Sequence, residues 1–170
     1  VEEYGEIARK LRGVRGIALL EVNISCPNVE DRGKVFACNP VAAADVIRAV
    51  RRETRTPLFA KLTPDVTDIV AIAESVVQAG ANGLSMINTL LGMVIDPDTL
   101  RPVLAGLTGG LSGPAIRPVA VRAVWQVHAA MPQVPILGMG GIRSGEDALQ
   151  FLAAGASAVS VGTAVFGDPG

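Results

Sequence analysis

Two hydrophobic periods alternate along the chain. Short, nearly unbroken apolar runs recur at 17–22, 57–62, 83–88, 134–138 and 158–162. Runs of that length, bounded by Gly and Pro, read as strands buried on both faces. Between them the apolar residues fall at helical spacing. Tyr4, Ile7, Ala8 and Leu11 share one face of a helix expected over 1–12. Val41, Ala44, Val46, Ile47 and Val50 do the same in a helix over about 40–52, with Asn39 as its cap and Pro40 as a suitable first residue. Further helices are expected from Val66 to Gln78, from about Ile116 to Ala130 behind Pro114, and from Ser144 to about Ala154. Two stretches break the rhythm. The polar segment 27–39 is long for a strand-to-helix connection and reads as a lid. Residues 89–113 form the longest non-helical stretch, with a small hairpin expected about Asp96-Pro97-Asp98.

Five strands separated by helices, joined by right-handed crossovers, make a parallel α/β sheet. A closed (β/α)8 TIM barrel takes ~250 residues, and the chain has 170. The expectation is therefore an incomplete barrel of about five βα units, strands 4 to 8, as a single domain over 1–170. An open sheet is the alternative. Both ends fall inside a βα unit, which favours the incomplete barrel.

Composition narrows the function. Hydrophobic residues make up 49% and aromatics 4%, so Ala, Val, Leu and Ile must build the core. The net charge is -1 and no basic block occurs, which argues against nucleic acid or an anionic membrane surface. The longest uncharged stretch, 151–166, is short of the ~20 residues of a membrane span. Cys26 and Cys38 form no CxxC pair, and a reduced, cytoplasmic setting is expected. One histidine and two separated cysteines make no zinc site, so no metal is expected. The lone histidine, His128, is expected on the surface or at a helix end.

The candidate chemistry lies where strands open into loops, the edge at which parallel α/β proteins bind ligands. Asn23-Ile24-Ser25-Cys26-Pro27-Asn28 follows the first strand, and its thiol is the candidate reactive group. Lys61, near the end of the second strand, must be paired or touch a ligand unless it reaches solvent at the rim. Glu21 is an available partner for it, or one half of an ordinary ion pair. Asn88 and Thr89 close the third strand, with an Asx turn as the plainer reading of Asn88. Gly140-Gly141 and Gly162-Thr163 follow the last two strands at matching positions. Such turns offer backbone N–H groups to an anion, best a phosphate.

Taken with Ala60-Lys61-Leu62-Thr63-Pro64, Ile87-Asn88-Thr89, Gly109-Gly110-Leu111-Ser112-Gly113-Pro114, Gly138-Met139-Gly140-Gly141-Ile142 and Val161-Gly162-Thr163, these motifs resemble the dihydroorotate dehydrogenases over essentially the whole chain. Ile87 to Met93 and the Leu-Ser-Gly-Pro turn look most like the NAD-linked class 1B catalytic subunit. The resemblance implies an FMN-containing (β/α)8 barrel that oxidises dihydroorotate to orotate in pyrimidine (UMP) biosynthesis. It implies that Cys26 is the base taking the C5 proton; membrane-bound, quinone-linked relatives use serine there. It places Asn23, Lys61, Ile87, Gly113, Gly140, Gly141, Gly162 and Thr163 at FMN, with Lys61 at the N1/O2 edge. It places Asn23, Asn28, Asn88 and Thr89 at the pyrimidine. It further implies a homodimer within a heterotetramer, whose electron-transfer subunit carries FAD and an iron–sulfur cluster and passes electrons to NAD. Two other readings stay open: a related FMN barrel such as a dihydropyrimidine dehydrogenase module, and a non-catalytic half-barrel that binds phosphate or a partner chain.

Overall fold

A computed structural model describes residues 1–25 and 38–167. Cys26, Asn28 and most of the segment read as a lid lie outside the described residues.

In chain order, helix α1 (Glu2–Leu11) leads into strand β1 (Leu20–Asn23). The Tyr4 hydroxyl donates to the Asn23 carbonyl at 2.9 Å and ties the helix to the strand end. Helix α2 (Pro40–Glu53) begins as expected: Asn39 Oδ1 accepts from the N–H groups of Val41 and Ala42. Strand β2 (Leu58–Leu62) follows, then α3 (Ile69–Gln78). The sequence placed the start of α3 at Val66. It starts three residues later because the Asp68 carboxylate accepts from Val70 and Ala71 N–H and fixes the first turn there.

Strand β3 (Gly83–Met86) opens the long non-helical stretch. That stretch is a two-tier ribbon. β4 (Leu90–Gly92) pairs antiparallel with β7 (Gly109–Leu111), and beyond them β5 (Ile95–Asp96) pairs with β6 (Arg101–Pro102). The small hairpin about Asp96 is present, with a second pair of strands below it. A 3-10 turn at Pro114–Ile116 then leads into α4 (Arg117–Ala130). Strand β8 (Ile136–Met139), α5 (Gly145–Ala153), strand β9 (Ala158–Ser160) and a second 3-10 turn at Thr163–Phe166 complete the described chain.

The five main strands form one parallel sheet in the order β1-β2-β3-β8-β9. This is part of a TIM barrel; among the described residues the sheet does not close. The helices cover one face. Leu58, Ala60 and Leu62 turn into that layer and are fully buried, whereas Phe59 and Lys61 alternate to the other face. Ile47, Val76, Val124 and Phe151 fill the space between helices and sheet. On the uncovered face the register sets Asn23, Lys61, Ser85, Leu137 and Ala158 in one row.

His128 lies in the last turn of α4, at a helix end as expected, and is half-buried. Its ring occupies the space that a side chain at Gly155 would take, and its Nδ1 is buried without a hydrogen-bond partner. Gly155, at φ +106° behind α5, leaves the room. No helix among the described residues is long and apolar enough to cross a membrane.

Candidate active site

The alternation of β2 aims Lys61 away from the helices. Its Nζ meets Glu21 Oε1 at 3.2 Å, and both side chains stay partly exposed. The ammonium is thereby balanced, yet it keeps two of its three N–H donors. At the end of β1, the Ser25 hydroxyl donates to the Lys61 carbonyl at 2.7 Å and locks the two strand tips together.

A short chain of amides runs across the same rim. Asn23 Oδ1 accepts from Ser25 N–H (3.1 Å) and from Asn88 Nδ2 (3.3 Å). Asn88 Oδ1 accepts from Thr89 N–H at 2.8 Å. Each amide oxygen is thus engaged within the protein. The free capacity is on the donor side: the Asn23 amide hydrogens, one on Asn88, and the Lys61 ammonium. A rim of donors suits a ligand rich in carbonyl or carboxylate oxygens. Thr89 is pressed against Gly110 of β7, where any side chain would overlap its hydroxyl.

The glycine turns lie on the same edge. Gly140 (φ +126°) and Gly141 (φ +78°) hold left-handed backbone after β8. A Cβ on Gly141 would lie 2.5 Å from the Gly113 carbonyl, so this turn rests directly on the turn before α4. After β9, the 3-10 turn makes its first internal bond from Val165 N–H to the Gly162 carbonyl at 3.1 Å. The N–H groups of Thr163 and Ala164 precede that bond and take no part in it.

These elements enclose one cleft of about 590 Å³, a size typical of small-molecule sites. Lys61, Ile87, Asn88, Thr89, Gly113, Gly140, Gly141, Gly162 and Thr163 all line it. Asn23 does not, but it is bonded to Asn88, which does. Cys26 and Asn28 are outside the described residues. Cys38 is exposed and free, its Sγ 3.6 Å from the Asp65 carbonyl. Partial burial, and then the Asp65 carboxylate, push its thiol pKa up.

Sequence reasoning missed several groups, Arg143 of the cleft wall among them. Met139 lines the cleft from β8; strand alternation alone could have placed it there. Asp65 Oδ2 accepts from Leu91 N–H at 2.9 Å and fastens the ribbon to the end of β2. Arg117 and Asp147 form an ion pair at 2.8 Å behind the Gly140-Gly141 turn. Nothing in local spacing marks those two long-range partners.

A parallel β/α sheet with a donor-rich, glycine-lined cleft along its C-terminal strand ends defines a ligand-binding site of the TIM-barrel class. The dihydroorotate dehydrogenase family model matches residues 1–170, and the chain belongs to that family. It is 60% identical over 169 residues to the dihydroorotate dehydrogenase B (NAD(+)) catalytic subunit of Geotalea daltonii. It is 57% identical to the subunit of the same name from Geobacter sp. (strain M21) and to that from Desulforudis audaxviator. These matches cover 99–100% of the chain but only 55% of each relative's length. A crystal structure of DHODH from Eimeria tenella in complex with ferulenol superposes with a TM-score of 0.75 at 28% identity. That match covers 96% of the chain and 49% of the other.

Proposed function

We propose that the chain supplies the later strands of an FMN-dependent dihydroorotate dehydrogenase, which oxidises dihydroorotate to orotate for pyrimidine synthesis. The observation that carries this is the meeting of Lys61, Asn88, Thr89 and both glycine turns on one cleft.

The residues fit a flavin mononucleotide. Ile87, Met139 and Ile116 offer apolar wall to a flat ring, and Lys61 offers a cation at its edge. Gly113, Gly140, Gly141, Gly162 and Thr163 line a backbone path that ends at the N–H groups of Thr163 and Ala164 after β9. Bound FMN supplies the hydride acceptor for C6 of the substrate. Cys26, as thiolate, takes the proton from C5 and later releases it to solvent. Asn23, Asn28, Asn88 and Thr89 hold the pyrimidine by its carbonyl and carboxylate oxygens. Lys61 keeps positive charge at the wall, where it favours an anionic ring.

Electrons then leave through a partner. The names of the relatives, catalytic subunits of an NAD(+)-linked enzyme, support a separate electron-transfer subunit. In this reading the iron–sulfur cluster and FAD belong to that subunit. A homodimer within a cytoplasmic heterotetramer completes the reading. The apolar surface exposed on the ribbon, including Leu91, Val94 and Leu100, supports such a contact.

The test is anaerobic reduction of bound flavin in the protein at its full natural length. Dihydroorotate is expected to bleach the flavin and dihydrouracil to leave it oxidised; the reverse would reassign the substrate. Cys26→Ala should slow bleaching by about 10²–10⁴-fold, the usual worth of a positioned base. An unchanged rate would remove Cys26 from the mechanism.

A further inference from the structure

Arg117 and Asp147 stand just behind the cleft, and the reaction proposed above gives them no task. Arg117 is the first residue of α4, and Asp147 lies in the first turn of α5 with 8% of its surface exposed. The Arg117 guanidinium pairs with Asp147 Oδ1 at 2.8 Å and donates to the Gly141 carbonyl at 3.3 Å. Asp147 Oδ2 accepts from Arg143 N–H at 3.0 Å, and Ser144 Oγ accepts from Asp147 N–H at 3.2 Å. One nearly buried carboxylate therefore joins the start of α4, the loop after β8 and the first turn of α5. Both its oxygens are engaged, which fixes orientation in a way a solvated surface pair does not.

The direction of the Gly141 bond matters. In a trans peptide the carbonyl and the following N–H point to opposite sides. Gly141 and Ile142 line the cleft, and Arg117 does not. By drawing the Gly141 carbonyl outward, Arg117 turns the Ile142 N–H inward. Without that bond a glycine at φ +78° is free to rotate its peptide. A carbonyl oxygen facing the cleft would then repel the anion that an N–H attracts.

We propose that Arg117 and Asp147 are positioning residues that hold the Gly140-Gly141 turn with its N–H toward the phosphate of the cofactor. The inference rests on the flavin reading. It is tested on the protein at its full natural length, stripped of flavin and titrated with FMN and with riboflavin, which lacks the phosphate. Quenching of flavin fluorescence reports both affinities. Arg117→Gln and Asp147→Asn should each weaken FMN about tenfold or more, the worth of a charged hydrogen bond, and leave riboflavin unchanged. Arg117→Lys should recover part of the loss. Asp147→Asn is the sharper variant. Removing a negative charge would tighten FMN if only the net field mattered, whereas loss of positioning weakens it. Unchanged or tighter FMN binding, or equal losses for both flavins, would overturn the assignment while the flavin reading stands. A wild-type protein that binds FMN no better than riboflavin would overturn both.

Discussion

At the scale of single residues, the cleft depends on atoms that are missing as much as on those present. Gly110 shows this most directly. Thr89 occupies the space above it, with Gly110 Cβ positions overlapping the threonine hydroxyl. Gly110→Ala would push the Thr89 side chain out of its present rotamer. The ribbon can absorb part of the overlap, since Thr89 is only half-buried. Overpacking of this kind typically costs about 1–3 kcal/mol, here directed at a side chain of the cleft and not at the core. On the proposed function, the protein at its full natural length should show a KM for dihydroorotate raised roughly tenfold, the equivalent of ~1.4 kcal/mol, and an unfolding midpoint lowered by a few degrees. Steady-state kinetics beside a thermal melt would check it. An unchanged KM would mean that the Thr89 hydroxyl does not face the substrate.

At the scale of elements, the sheet was legible because its apolar runs are bounded by Gly and Pro and its helices carry local caps. Asn39 before Pro40 marked α2 correctly. The start of α3 was misplaced because Val66 continues the apolar pattern while Asp68 carries the cap. The ribbon was only half legible. Its outer hairpin follows a local turn signal, but β4 and β7 are separated by sixteen residues and pair through contacts that no short window contains. The same holds for Arg51. From the sequence it is one of several arginines at the end of α2. In the structure its guanidinium donates to the carbonyls of Gly80, Thr54 and Thr56 and to Asn82 Oδ1. Asn82 Oδ1 also accepts from Leu58 N–H at 3.0 Å. One side chain thus joins α2, the entry to β2 and the turn before β3, at the end of the sheet away from the cleft. Arg51→Ala should lower stability by about 1–3 kcal/mol, since several partly buried carbonyls lose their donor together. Urea unfolding would measure this, and FMN affinity of the folded protein should stay the same. A change in affinity without loss of stability would contradict a purely structural role.

For the molecule as a whole, the question is which surfaces meet other chains. A net charge of -1 gives little mutual repulsion. The ribbon projects Leu91, Val94, Leu100, Val103 and Leu107 into solvent. Leu100 is the telling residue. It is 78% exposed and sits at φ +53°, a conformation that leucine adopts rarely and asparagine several-fold more readily. An exposed leucine in left-handed backbone is disfavoured twice in an isolated chain, by hydration and by sterics. An apolar contact with a second chain, as in the proposed homodimer, offsets both. Leu100→Asn therefore separates the two situations. In the monomer it should be neutral or stabilising by up to about 1 kcal/mol, through relief of backbone strain. In the assembled enzyme it should weaken self-association, seen as a shift toward monomer in sedimentation velocity at micromolar protein. If the variant sediments as the parent does and is merely more stable, the ribbon tip is not the contact, and the dimer must be sought on another face.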